Sequence, residues 1–89
     1  MNDLVAICRE VDKVSGNIKV YFIDVPEIKD LLKYSSVHEQ QNLETRYFMA
    51  SAQRWKNKEN REVFGNFLCR KYHTLEEIDK VLEFIMRVE

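Results

Sequence analysis

Proline occurs once in this chain of 89 residues, glycine twice and cysteine twice. Two glycines leave no Gly-rich phosphate cradle and no strained elbow to expose a nucleophile. A disulfide-stapled secreted domain of this length carries more cysteines at tighter spacing. Cys8 and Cys69 are therefore read as reduced, buried thiols that pack as small apolar groups; one disulfide closing a long loop is the alternative. No apolar run reaches the ~18–20 residues of a membrane helix, and Met1-Asn2-Asp3 lacks the basic start of a secretion signal. The expectation is a cytoplasmic protein, in its own or a host cell, with no membrane partner. Net charge is −1, from fourteen basic and fifteen acidic residues, which removes the broad electrostatic drive of a basic domain toward nucleic acid.

Apolar residues make up 45% of the chain and ten are aromatic. That supports a folded core rather than disorder. A chain this short supports one core, hence one domain over 1–89, and the core is thin enough that packing between subunits would help it.

Pro26 marks a change of side-chain period. Before it, residues 4–25 read as a β-hairpin. Leu4-Val-Ala-Ile-Cys8 and Ile18-Lys-Val-Tyr-Phe-Ile-Asp-Val25 are β-branched and apolar, and Gly16 and Asn17 supply the positive φ of a turn. The first run also fits a helix with Asn2 as N-cap, but Val5, Ile7, Val11 and Val14 are poor helix formers. Both faces of the second run are apolar, as in a strand inside a sheet. A lone ribbon is marginal in water, so the hairpin needs either further strands or a second copy, and a homodimer through the hairpin is one expectation.

After Pro26 the spacing predicts a helical body over 26–89. Asp24-Val-Pro-Glu27 reads as a capping signal for a first helix with Ile28, Leu31 and Leu32 buried and Ser35-Ser36 at its end. Ser36-Val-His-Glu39 repeats the signal and predicts a long helix to about Trp55. Val63, Phe64, Phe67, Leu68 and Tyr72 form one helical face, and Thr74-Leu-Glu-Glu77 opens a last helix striped by Leu75, Ile78, Val81, Leu82, Ile85 and Val88. The expected fold is α+β, a hairpin followed by three to four amphipathic helices. The alternative takes 47–55 and 63–72 as strands, a ββα unit occurring twice.

No constellation here points to catalysis, a cofactor or a metal. Cys69 and His73 stand four apart, as a helical chelating pair would. Completing a site would take Cys8 and His38, which no local spacing brings together, and zinc sites usually show two close pairs. Glu76 and Glu77 suit a helix N-terminus. What remains is charge distribution. Arg54, Lys56, Lys58, Arg61, Arg70 and Lys71 outnumber the two acids among them, and Trp55 interleaves with the first of these cations. They are read as one basic contact surface, with Trp55, for a macromolecular partner. Protein is the preferred partner, since Glu76, Glu77 and Asp79 would meet phosphates where a recognition helix enters the groove. Nucleic acid, bound by stacking and phosphate contact, is the alternative. The expected function is that of a small non-catalytic protein-binding regulator or inhibitor. Size and character alone associate the chain with phage- or plasmid-type regulators.

Overall fold

A computed structural model describes residues 4–24 and 27–86, so Val25, Pro26 and Val88, with the readings placed on them, lie outside the described residues. The hairpin forms, with Gly16 but not Asn17 at positive φ. Strands β1 (Leu4–Asp12) and β2 (Ile18–Asp24) pair antiparallel from Val5↔Asp24 to Val11↔Ile18. The connection turns on Asp12, whose Oδ1 accepts from the backbone N–H groups of Val14 and Ser15 at 2.8 and 3.2 Å. Those two bonds hold its carboxyl below the usual carboxylate range. Gly16 takes φ 76°, where a Cβ would be strained.

The body after the hairpin is not purely helical. Helix α1 (Ile28–Gln40) is followed by a third strand, β3 (Leu43–Ser51), then by α2 (Ala52–Lys56), α3 (Lys58–Leu68) and α4 (Leu75–Ile85). α1 starts with Glu27 as an N-cap without a side-chain bond, so the expected cap at Asp24 does not form. It then runs straight through Ser35-Ser36, where an end was expected. Nothing there breaks a helix as Pro or Gly would.

The long helix to Trp55 fails for a local reason: Asn42 adopts φ 60°. A left-handed residue just past a helix end is a common stop signal, and Asn tolerates it better than most. Beyond it the period is two. Leu43, Thr45, Tyr47 and Met49 share one face, while Glu44, Arg46, Phe48 and Ala50 share the other. The duplicated ββα alternative fails too, because 63–72 begins in α3 and not in a strand.

Strand order is β2-β1-β3, with β1 antiparallel to both neighbours. β2 and β3 therefore run parallel with β1 between them, and α1 is the crossover that such a connection requires. The strand buried on both faces is β1, every residue from Val5 to Glu10 being buried; the more apolar β2 sits at an edge. One face of the sheet carries Val5, Ile7, Phe48 and Ala50, and packs on Phe67, Ile78, Leu82, Ile85 and Met86 from the later helices. The opposite face, with Cys8, Tyr21 and Tyr47 side by side across the strands, lies under α1.

α4 begins as its sequence dictates. Thr74 Oγ1 accepts from the Glu77 N–H at 3.2 Å and donates to the Glu77 carboxylate at 3.1 Å. Thr74→Ala is expected to cost about 1 kcal/mol, a fall in Tm of about 4–8 °C for a domain of this size. Thr74→Ser should restore most of it, and equal Tm values for all three proteins in thermal denaturation would refute the cap's contribution.

Candidate functional site

The segment expected to form a basic contact surface divides into residues turned inward and residues turned to solvent. Arg54 lies on α2, a single short helix capped by Ser51, whose Oγ accepts from the Arg54 N–H. Its guanidinium donates to the Ile85 carbonyl at 2.9 Å and the Phe84 carbonyl at 3.0 Å. These are carbonyls at the end of α4, where a cation offsets the negative end of the helix dipole. Trp55 is half-buried against the core. Its ring stacks on Phe22 at 5.7 Å between centroids and meets Phe64 edge-on at 5.9 Å.

Lys56, Lys58, Arg61, Arg70 and Lys71 are exposed. Lys58 and Arg61 stand in the first turn of α3, Lys58 pairing with Glu62 at 3.8 Å. Arg70 and Lys71 follow the other end of that eleven-residue helix, about 16 Å away at the usual rise. Trp55 is thus turned inward, and the exposed cations stand toward the two ends of α3.

The cysteines differ from expectation as well. Both are free, but only Cys8 is buried; Cys69 is exposed at the end of α3. His73 lies beyond that helix, stacked on Phe67 at 3.8 Å, so the helical Cys69/His73 pair is not formed.

The fold instead gathers polar groups between the sheet and α1. Cys8 and Glu10 are two apart on β1 and so share a face. Tyr21 and Tyr47 flank Cys8 on the neighbouring strands, and His38 descends from α1. His38 Nε2 lies 3.2 Å from Glu10 Oε1 and 3.3 Å from the Tyr21 hydroxyl. Cys8 Sγ, a Glu10 oxygen and a His38 nitrogen all fall within 4.8 Å of one another. Glu10 and His38 are buried, and Cys8 is 0% exposed.

Burial pushes the Cys8 thiol up, against a smaller opposing effect of the Tyr21 hydroxyl. It pushes the Tyr21 phenol far up too, helped by bonds to Cys8 and Glu10 that the neutral phenol makes and the phenolate would lose. Tyr47 is raised chiefly by burial. Beside this cluster a cleft of about 500 Å³ opens between α1 and β2, with His38 in its wall and Ile23, Tyr34 and Val37 as its apolar lining.

Sequence reading missed the cluster because its third member, His38, comes from a crossover helix 30 positions after Cys8. The alternation Cys8-Arg9-Glu10 on a strand was the one available signal. No known family model, curated protein or solved structure matches this chain. Among the described residues no helix is long and apolar enough to cross a membrane.

Proposed function

We propose that this chain is a small non-catalytic regulator that works by binding a protein partner in the cytoplasm, and that β2 with the adjoining cleft receives it. The observation that supports this reading is the state of β2. It lies at the sheet edge, and among the described residues no strand pairs with its outer side. Ile18 and Phe22 are half-exposed on one of its faces, while Ile23, Tyr34 and Val37 line the cleft on the other. An extended segment added to such an edge gains backbone hydrogen bonds, and its alternating side chains meet apolar surface on both faces. The added segment belongs either to another protein or to a second copy of this chain.

Ile18→Lys combined with Val37→Lys changes two surface positions and should leave Tm within a few degrees of wild type. Captured from lysate with nuclease present, a protein partner should be retained by the wild-type chain and lost by the double variant. Light scattering on the same pair identifies a self-partner. Retention of the partner by the variant would place the contact elsewhere.

Nucleic acid remains the second reading because five cations of the expected surface stand in solvent. That reading requires a gel shift with DNA or RNA that weakens steeply with salt and disappears on charge reversal at Lys56, Lys58 and Arg61. The stacking of Trp55 on Phe22 and Phe64 counts against base stacking at this site.

A further inference from the structure

We propose that Cys8, Glu10 and His38 bind one divalent transition-metal cation of the zinc type, joining α1 to the sheet. The donor set comprises one thiol, one carboxylate and one imidazole, the ligand types zinc takes. Tetrahedral zinc, with bonds of about 2.0–2.3 Å, places its ligand atoms about 3.3–3.7 Å apart. His38 Nε2 and Glu10 Oε1 already stand at 3.2 Å, and no pair of the three donors exceeds 4.8 Å. Contraction by about 1 Å, mostly on the sulfur side, completes three corners of a tetrahedron.

Charge supports the same assignment. A buried carboxylate is costly unless balanced, and Glu10 is 9% exposed. Lys19, directly opposite it on β2, turns its ammonium over the Tyr21 ring at 5.4 Å. A dication with the Glu10 carboxylate, a Cys8 thiolate and neutral His38 sums to zero. On binding, the Cys8 thiol gives its proton to solvent and the S–H bond is replaced by a metal–sulfur bond. The Tyr21 hydroxyl, opposite Cys8 on β2 and 3.3 Å from His38 Nε2, supplies a hydrogen-bonding group beside the ligands, as metal sites commonly do. The cleft along α1 reaches His38 and supplies the route in; water or a further side chain would fill the fourth position. The site shares the wall of that cleft at His38, but its ligands do not depend on a partner being docked on β2.

Cobalt(II) is the probe. After chelator treatment, the full chain titrated with Co²⁺ should develop an intense near-ultraviolet thiolate-to-metal band and tetrahedral visible bands, saturating at one equivalent and displaced by Zn²⁺. Cys8→Ser should abolish the near-ultraviolet band, Glu10→Gln should weaken binding at least tenfold, and Cys69→Ser should change neither. If Cys8→Ser fails to fold, X-ray absorption on the zinc-loaded Cys69→Ser protein decides. One sulfur at about 2.3 Å with nitrogen and oxygen at about 2.0–2.2 Å supports the site, and a shell without sulfur overturns it. No thiolate band in the wild type, or a band lost in Cys69→Ser and kept in Cys8→Ser, also overturns it.

Discussion

Asp79→Ala is expected to lower unfolding free energy by about 3–5 kcal/mol, the loss typical when one member of a buried ion pair is removed. For 89 residues, whose total stability is of order 4–13 kcal/mol, that brings the domain close to unfolding. The reason lies under α4. Arg9 sits in the middle of the central strand with 4% of its surface exposed, and its Nε approaches Asp79 Oδ1 at 2.9 Å. That contact is an ion pair, not an aligned hydrogen bond; neither atom makes a well-directed bond. Glu44, the other acid near Arg9, is 3.9 Å away and mostly solvated. Without Asp79 the guanidinium is left buried with little compensation.

Two controls separate this cause from simple loss of contacts. Arg46 donates to the other Asp79 oxygen at 3.0 Å and also pairs with Glu83, but its side chain is 46% exposed. Arg46→Ala should therefore cost about 1 kcal/mol or less. Arg9→Met with Asp79→Leu removes both charges and should be far milder than Asp79→Ala alone, because the cost comes from an unpaired charge. Urea denaturation of the four proteins checks this. A loss below about 1 kcal/mol for Asp79→Ala would show that water or Glu44 compensates Arg9.

Leu82→Ala is the second large effect, expected at about 2–5 kcal/mol. Leu82 is 0% exposed, in the apolar layer where α4 crosses Ile7 and Phe48 of the sheet. Removing its isobutyl group loses transfer energy and leaves a cavity between a helix and a pleated surface, which cannot close without moving the whole helix. Phe84, two residues on, is 64% exposed; truncating it should change stability by less than about 0.5 kcal/mol. Comparable losses at both positions would mean that α4 does not lie on the sheet by this face.

The two substitutions test one junction, α4 on the sheet, whose two halves differ in how readily a sequence shows them. The apolar stripe of α4 and its Thr74–Glu77 cap are visible at helical spacing. The polar half is not. Arg9 lies in an extended run and Asp79 in a helix seventy residues later, and only the register of β1 turns Arg9 toward α4 instead of α1.

β3 was misread for a related reason. Glu44 and Arg46 occupy the face that farther along carries Phe48 and Ala50, since that end of the strand meets the ion pairs and not the apolar core. The alternation of polar and apolar residues is thereby blurred, and a helical reading of the same residues looked as good. Asn42, whose left-handed turn ends α1, carries no proline or glycine signal. At Arg54 and Trp55 the sequence shows a cation beside an aromatic, but composition does not tell which way a side chain turns. Here the guanidinium caps α4 and the indole joins the Phe22–Phe64 stack.

The sequence by itself determined the coarse α+β class, the hairpin with its Gly16 turn and the start of α4, since each rests on interactions a few residues long: β-branching, a positive φ, a cap. Which strand is central, which residues the helices cover, and the meeting of Cys8, Glu10 and His38 were decided only by the tertiary structure. Those depend on a crossover helix that places β1 between β2 and β3, and the free energy favouring that order comes from contacts between residues far apart in the chain.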